Sequence, residues 1–332
     1  MFFENRAVLV TGGAGLAGSA LIRRLVVEGA LVRATVHKKE PPVVDDRVDY
    51  IRCDLTKGED CRRAVDGARY VFHCAANASG AAGTDMAPMA HVTSNLLMNA
   101  RMLEAAYAAG VEKFLWVGST TGYPPAGNRP LREEEMFDGE PYDKYFCVGW
   151  EKRFMEILCK MYGERAARPM TTLVLRATNI YGPNDDFEPG RSHVAPALIR
   201  KVVEREEPIE VWGTGEDVRD FIYVDDMVEA MVSAMEKIES YTTINIGSGT
   251  GYSVKQILRM ILELNGRPDA SAVFNPAKPT MIPIRLVDTA KAETVLGFKP
   301  RIDLREGLRR TIDWYRESRA GIDGEWDEYR AS

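Results

Sequence analysis

The stretch Thr11-Gly12-Gly13-Ala14-Gly15-Leu16-Ala17-Gly18 decides the fold of this chain. An apolar run at residues 7–11 precedes it and predicts a buried strand, and residues 15–28 have the pattern of a helix. Glycines at this spacing permit a tight turn, a close approach to a pyrophosphate, and close packing of the helix on the sheet. The helix N-terminus then offers free N–H groups to the phosphates. The stretch therefore predicts a dinucleotide site, and a plain strand–helix turn is the alternative. The expected contacts are Gly12, Gly15, Leu16, Ala17 and Gly18.

Short apolar runs alternate with amphipathic stretches through the first half of the chain, as in a parallel sheet with crossover helices. We expect further strands at 31–36, 50–53, 70–74, 114–118 and 171–176, and helices at 89–109 and 145–163. After residue 177 the alternation is lost. The prediction is an α/β fold: a doubly wound parallel Rossmann sheet at 1–176, a small mixed α/β substrate lobe at 177–320, and a charged tail at 321–332. Residues at about 220–248 are expected to cross back to the first domain.

The end of the second strand bears on which dinucleotide binds. An acidic residue there would hydrogen-bond a ribose 2′-hydroxyl. This chain instead has His37 and Lys38, and cations suit a 2′-phosphate, so the sequence favours NADP over NAD. A solvated basic turn is the alternative. Four further cofactor contacts are expected after the next two strands: Asp54, Leu55, Ala75 and Ala76.

The composition excludes several classes of function. A formal charge of −6 over 332 residues argues against nucleic acid or an anionic membrane as the partner. No stretch approaches the roughly 18 apolar residues of a membrane span, and the N-terminus lacks the apolar core of a signal peptide. Five scattered cysteines without a CxxC spacing favour reduced thiols in the cytoplasm and give no indication of a metal site.

Motifs along nearly the whole chain carry a resemblance to a known family. They are TGGAGLAG (11–18), HCAA (73–76), VEKFLWVGSTTGYP (111–124), RATNIYGPND (176–185), SHVAPALIRKVVE (192–204), VWGTGEDVRDFIYVDD (211–226), INIGSG (244–249), RLVDTAKAETVLGFKP (285–300) and LREGLRRTIDWY (304–315). In this order they resemble the extended short-chain dehydrogenase/reductase family, the NAD-dependent epimerases and dehydratases, and within it the branch of the GDP-L-fucose synthases. The resemblance implies a seven-stranded Rossmann sheet and hydride chemistry at C4 of a nucleoside-diphosphate hexose. It also implies a homodimer formed through the helices at 89–109 and 145–163.

The resemblance assigns roles in proton transfer to a loop and to a later histidine. It implies that the hydroxyl of Ser119, four residues before Tyr123, hydrogen-bonds the sugar oxygen as this oxygen gains or loses a proton. A strand-end hydroxyl that satisfies the local backbone is the alternative. The family's epimerising Cys is matched by Thr121, whose hydroxyl has a far higher pKa than a thiol and cannot easily shuttle that proton. The family's His is matched by His193, for which capping of the next helix is the alternative. Because Thr121 follows another Thr where dehydratases have Asp-Glu, 4,6-dehydration is not expected.

Substrate phosphates require cations, and two arginines are candidates. The resemblance matches Arg219 to the family's diphosphate-binding arginine, and Arg285 is a second guanidinium able to bind a diphosphate bidentately. Pairing of these arginines with nearby aspartates is the alternative. The family's loop asparagine is matched by Asn179, and Trp212 is expected on the nucleotide side.

The helix at 145–163 lacks the Tyr-x-x-x-Lys pair that the resemblance implies. In the family this Tyr exchanges the C4 proton, while the Lys lowers its pKa and holds the nicotinamide ribose. Here Tyr145 is followed four residues later by Gly149, and Lys152 is preceded four residues earlier by Val148. A widened turn at Gly149 or a late helix start would let Tyr145 and Lys152 perform both roles.

These residues predict an oxidoreductase of nucleoside-diphosphate sugars. A reductase of 4-keto sugars, similar to the GDP-L-fucose synthases, is the leading expectation, and a 4-epimerase is the second. A non-catalytic NAD(P)-binding sensor or scaffold is the alternative from another class, because the Tyr–Lys helix is altered.

Overall fold

The computed structural model describes residues 1–77, 89 and 91–331, with side chains as far as residue 319. Its central sheet has seven parallel strands in the order β10-β6-β5-β4-β1-β2-β3. The strands are β1 (Ala7–Thr11), β2 (Leu31–Val36), β3 (Val48–Arg52), β4 (Tyr70–His73), β5 (Lys113–Ser119), β6 (Thr171–Ala177) and β10 (Thr242–Ile246). Strand order reverses between β1 and β4, and such a switch point is where an open parallel sheet binds its ligand.

Helices cover both faces of this sheet. The α-helices of the described residues are α1 (Leu16–Val27), α2 (Gly58–Val65), α3 (Val92–Ala109), α4 (Phe146–Glu164), α5 (Val194–Val203), α6 (Val224–Lys237), α7 (Val254–Leu264) and α8 (Leu304–Ala331), and of these α5, α7 and α8 pack mainly on one another. One face is packed by α2, α3 and α4 through Cys61, Met102 and Met155, and the other by α1 and α6. The predicted α/β Rossmann class is confirmed. The predicted helix at 89–109 begins at Val92, with residue 90 outside the described part, and α8 extends through 321–331, where the sequence predicts a tail.

The chain after β6 builds a smaller mixed lobe. Strand β9 (Val218–Tyr223) pairs in parallel with β7 (Asn179–Tyr181) and β13 (Ile284–Arg285), and antiparallel with β11 (Gly251–Ser253). A separate parallel pair joins β8 (Ile209–Trp212) to β12 (Ala272–Asn275). Between these segments α6 and β10 return to the main sheet, where β10 pairs with β6. The strands β7 and β11 of the lobe therefore follow directly after the carboxyl ends of β6 and β10.

The described residues include no helix that is both long and apolar enough to cross a membrane. They also hold no group of three or more side chains able to bind a metal ion. The five cysteines are all free thiols.

A buried chain of hydrogen bonds runs from β1 to α4. The hydroxyl oxygen of Thr11 accepts the backbone N–H groups of residues 74 and 75, both at 3.1 Å, so its proton is donated to Nδ1 of His73 at 2.7 Å. Nε2–H of His73 then donates to Oδ1 of Asn99 at 2.9 Å, and Nδ2 of Asn99 donates to Glu151 at 3.2 Å. The carboxylate of Glu151 lies 3.1 Å from Nζ of Lys152. The glycine-rich turn and α4 are thereby connected through side chains.

A second buried network is centred on Arg176 at the end of β6. Its guanidinium forms a two-pronged pair with Glu156 on α4, at 3.0 and 2.7 Å, and donates to the hydroxyl of Tyr123 at 2.6 Å. That hydroxyl donates to Asn245 on β10 at 2.7 Å, and the backbone N–H of Asn245 donates to Glu133 at 2.8 Å. Arg176 and Glu156 are both almost completely buried. This network fixes α4, the loop after β5 and β10 against one another.

We expect Glu156→Gln to lower the free energy of unfolding by about 3 kcal/mol or more, because it leaves the Arg176 charge buried and uncompensated. Urea denaturation measures this loss. Glu263→Gln is the matched control, since Glu263 pairs with Arg259 and Arg305 at the surface, and it should cost less than about 1 kcal/mol. Equal losses for the two variants would contradict the role given to Arg176.

The pH dependence of stability tests the buried His73. Burial lowers the pKa of His73 to about 4, below the 6.5 of an exposed histidine. The folded protein therefore binds this proton less readily than the unfolded chain, and stability is lost as the pH falls from about 6.5 towards 4. Between pH 7.5 and pH 5 we expect His73 to contribute a loss of about 2 kcal/mol. Urea denaturation at both pH values measures the free energy of unfolding that is lost on acidification. This loss should be smaller by about 2 kcal/mol in His73→Gln than in wild type. Equal losses in the two proteins would contradict a neutral buried histidine.

Candidate active site

The turn between β1 and α1 leaves no room for side chains. A Cβ atom at Gly18 would lie 2.2 Å from the carbonyl oxygen of Gly12. Gly12 has a φ of +73°, and a Cβ there would lie 2.8 Å from Cα of Ala75. Gly15 precedes α1 and makes no side-chain capping bond, so the first N–H groups of this helix stay available. A bare backbone cradle beside an uncapped helix N-terminus fits the pyrophosphate of a dinucleotide. Two other predicted contacts form the first turn of this helix: Leu16 and Ala17.

Cationic groups surround the end of β2. His37 and Lys38 are exposed there, and Arg52, the last residue of the neighbouring β3, donates to the carbonyl oxygen of His37. Lys39 is instead engaged by Asp186 of the smaller lobe, at 3.6 Å. The sequence does not predict Arg52 as part of this group, because only the pairing of β2 with β3 makes the two strand ends neighbours. Arg52 also pairs with Glu40, and the exposed Lys38 beside this pair fits the 2′-phosphate of NADP.

The other predicted cofactor contacts serve the fold as well. Asp54 accepts hydrogen bonds from the hydroxyl and backbone N–H of Thr56, at 2.6 and 3.1 Å, and these bonds hold the pKa of its carboxyl below the ordinary value. Leu55 is buried in the core. Ala75 is held by its N–H bond to β1, and Ala76 is exposed beside it. Small or inward-facing side chains at these positions leave the backbone accessible to the cofactor.

Tyr145 lies beneath the guanidinium of Arg285. It packs against Met281 and Ile282, and the guanidinium carbon of Arg285 lies 5.1 Å from the centroid of its ring. Nη2 of Arg285 donates to Asn179 at 3.2 Å, whereas Nη1 is buried and has no hydrogen-bond partner among the described residues. An unpaired buried donor is costly, so this N–H fits a polar or anionic group of a ligand. Tyr145 and Arg285 line one cleft together with the loop at 120–131.

Arg219 is anchored within the smaller lobe. Its Nη1 donates to two backbone carbonyls, 2.8 and 3.1 Å away, and its Nη2 lies 3.4 Å from Asp217. Asp220, one of the aspartates that could have paired with it, instead accepts backbone N–H groups of the turn at 248–249. Arg219 is buried, and Tyr145 and Arg285 both act on it electrostatically. Both arginines therefore lie within electrostatic range of Tyr145.

The hydroxyl of Ser119 remains available as a donor. Its oxygen accepts hydrogen bonds from the backbone N–H of Thr121 at 3.2 Å and from the hydroxyl of Thr121 at 3.1 Å. Because both bonds use the oxygen, the Ser119 proton is left for a ligand. Thr121 lines the cleft that contains Tyr145, and the neighbouring Thr120 hydroxyl is buried without a partner among the described residues.

His193 precedes α5, and its side chain makes no capping hydrogen bond to that helix. The alternative in which His193 caps α5 is therefore wrong. Burial, followed by the charge of Arg285, lowers the pKa of His193 below its usual value, so the ring is neutral at neutral pH. Trp212 lies in β8, with Nζ of Lys278 5.6 Å from its ring centroid, and is not among the residues that line the Tyr145 cleft.

Gly149 cannot be the position of the missing lysine. A Cβ there would lie 2.5 Å from Cβ of Pro141 and 2.9 Å from the carbonyl oxygen of Thr121. Helix α4 begins late, at Phe146, after a short 3-10 turn at Asp143–Tyr145. The late start leaves Tyr145 outside the helix and presses Gly149 against the loop after β5.

Tyr145 and Lys152 have different partners. The structure brings Tyr145 to Arg285, and it brings Lys152 to Glu151 and to the ring of Trp116, whose centroid is 5.4 Å from Nζ. No hydrogen bond or ion pair joins Tyr145 to Lys152 in the described part of the chain. The sequence does not predict that Glu151 belongs to this site. The only indication in the sequence is that Glu151 directly precedes Lys152 on a helix with a buried face.

The sequence of this chain matches a known family and named relatives. The family described as the NAD dependent epimerase/dehydratase family matches residues 8–247. The protein named "Probable GDP-L-fucose synthase 1" of Oryza sativa subsp. japonica is 32% identical over 323 residues, which are 94% of this chain and 92% of that protein. The dTDP-4-dehydro-6-deoxy-D-allose reductase of Streptomyces bikiniensis is 31% identical, over 95% of this chain and 97% of its own length.

A solved structure has the same architecture. The UDP-glucose 4-epimerase of Thermotoga maritima, crystallised with UDP-glucose, superposes with a TM-score of 0.84 at 29% identity, over 94% of this chain and 99% of that one. Its likeness extends over both the sheet and the smaller lobe. The resemblance expected from the motifs is confirmed, and the chain belongs to the NAD-dependent epimerase/dehydratase family.

Proposed function

We propose that this chain is an NAD(P)-dependent oxidoreductase that acts at C4 of a nucleoside-diphosphate sugar, with NADPH-dependent reduction of a 4-keto sugar as its leading reaction. The observation that carries this proposal is the contact of Tyr145 with Arg285 in one cleft, where a phenol lies beside a guanidinium N–H that has no partner among the described residues. The relatives support the substrate class, since they include a GDP-L-fucose synthase and a dTDP-sugar reductase.

A bound nicotinamide dinucleotide supplies hydride exchange at the sugar carbon. The residues of the chain then provide the proton and hold the substrate. Ser119 donates its free O–H to the sugar oxygen, and Tyr145 exchanges the proton of that oxygen. Arg285 and Arg219 hold the diphosphate and place positive charge beside the phenol.

Two residues favour simple reduction over epimerisation next to the ketone. Thr121 offers a hydroxyl where a thiol would be the acid, and a hydroxyl exchanges that proton poorly. His193 retains a neutral ring and is free of helix capping, so it is available to accept a proton or a hydrogen bond. Epimerisation requires one group to remove a proton and another to deliver one to the opposite face of the sugar. His193 alone cannot do both.

Turnover is tested with purified protein, NADPH or NADH, and a panel of GDP-, UDP- and dTDP-linked 4-keto sugars. We expect consumption of NADPH to exceed that of NADH, and Tyr145→Phe to lower kcat by about 100-fold, the usual scale of a lost acid/base group. Tyr162→Phe is the matched control, because Tyr162 lies at the far end of α4 against Tyr107, and it should leave kcat unchanged.

The same assay separates the alternatives. Conversion of a nucleotide hexose to its C4 epimer without net consumption of the dinucleotide would replace the reductase by a 4-epimerase, the activity of the Thermotoga maritima relative. Dinucleotide binding without turnover of any nucleotide sugar would favour a sensor or scaffold. Full activity of Tyr145→Phe would remove Tyr145 from the mechanism.

An apolar stripe on α4 supports a homodimer. Phe146, Trp150, Phe154, Ile157 and Met161 recur every three or four residues, and each is between 38% and 50% exposed. Helix α3 packs beside α4 and adds the exposed Leu97. A stripe of this kind buries apolar surface when two copies pair, and an isologous pairing of the α3 and α4 helices is the simplest arrangement.

The five free thiols suit a reducing compartment, and we propose that the enzyme is cytoplasmic.

We expect Phe154→Glu to convert the dimer into a monomer, because it inserts a charge into the centre of the stripe. Light scattering coupled to size-exclusion chromatography measures the mass directly. Val27→Glu is the control, since Val27 is an exposed apolar residue on α1, away from the stripe, and it should stay dimeric. A wild-type monomer at micromolar concentration, or a dimeric Phe154→Glu variant, would contradict this interface.

A further inference from the structure

Glu151 is a buried carboxylate that the family motifs do not account for. Its side chain is 0% exposed, that of Lys152 is 12% exposed, and Nζ of Lys152 lies 3.1 Å from its Oε2. No second ion pair involves Lys152 in the described part of the chain. A carboxylate withdrawn this far from water is stable only when it is paired and hydrogen-bonded.

The hydrogen-bond chain from the glycine-rich turn has one direction, and Glu151 is its end. Each of Thr11, His73 and Asn99 donates to the next member of the chain, so the last member has to accept. His73 is neutral in this chain, because both ring nitrogens are engaged, one as acceptor and one as donor. Glu151 accepts from Asn99 at this end of the chain, and Lys152 is its ion-pair partner among the described residues.

The pair changes the charge that this part of the site presents. A free lysine beside the nicotinamide half of the cofactor adds one positive charge, whereas the Glu151–Lys152 pair adds none. Oxidised nicotinamide is a cation and reduced nicotinamide is neutral, so a net positive charge nearby disfavours the oxidised form relative to the reduced form. The Glu151–Lys152 pair, which adds no net charge, removes this preference for the reduced form.

We propose that Glu151 is a positioning residue that holds the Lys152 ammonium at the nicotinamide end of the cofactor site and cancels its charge, so that the oxidised dinucleotide is retained nearly as well as the reduced one. The inference rests on the proposed function and on the place at the nicotinamide ribose that the family resemblance implies for Lys152. Through Asn99 and His73 the same carboxylate is tied to Thr11 beside the phosphate-binding turn, which keeps Lys152 in register with the pyrophosphate cradle.

The test compares dissociation constants without any sugar substrate. Wild type, Glu151→Gln and the double variant Glu151→Gln/Lys152→Met are titrated with NADP⁺ and with NADPH by calorimetry at pH 6.5. Gln keeps the acceptor for Asn99 and removes only the charge. We expect the ratio Kd(NADP⁺)/Kd(NADPH) to rise about tenfold in Glu151→Gln, and to return towards the wild-type ratio in the double variant, which is neutral again.

Glu216→Gln is the control, because it removes the same charge from an exposed pair with Lys255, and its ratio should equal that of wild type. An unchanged ratio in a Glu151→Gln protein that melts cooperatively would overturn the inference and leave the proposed function standing. A raised ratio that persists in the double variant would also overturn it, since the cause would not be charge. Absence of dinucleotide binding by wild type would overturn both.

Discussion

The pairing of Arg176 with Glu156 fixes where the active-site residues lie. Arg176 ends β6, and Glu156 lies in the middle of α4, so the pair sets the position of this helix along the sheet. The same guanidinium holds Tyr123, and through it the loop that begins at Ser119. Because the pair is buried, sliding α4 by one turn would leave two charges without partners. The fold therefore tolerates changes in the residues of the site more easily than a change in the register of α4.

This constraint explains why the Tyr–Lys motif is divided. With α4 held at Glu156, Lys152 lies one turn earlier, beside Glu151 and the ring of Trp116. Gly149 is pressed against Pro141 and the carbonyl of Thr121. The helix then begins only at Phe146, and Tyr145 precedes it, beneath Arg285. In the region where the family has one Tyr–Lys pair, this chain has two contacts. Tyr145 packs against the guanidinium of Arg285, and Lys152 forms an ion pair with Glu151.

The sequence predicts the fold well because its signals are local. The alternation of strands and helices, the glycine spacing at 12, 15 and 18, and the basic end of β2 each lie within a few residues. The long-range partners of the site residues are not predictable in this way. Asn99 meets Glu151 across 52 residues, and Arg285 meets Asn179 across 106. Arg52 belongs to the cationic group only through strand pairing, and the role of Glu151 is invisible until α3 and α4 are packed together.

By itself the sequence determined the phosphate-binding turn and the Rossmann class, because a backbone that must pass within contact distance of another backbone admits only glycine at these points. It also determined that the Tyr-x-x-x-Lys pair is absent. Only the tertiary structure decided what replaces it. Charges in a protein are balanced by neighbours in space, and burial makes that balance obligatory, so the partners of Tyr145 and Lys152 are set by the packing of α4 and the smaller lobe on the sheet.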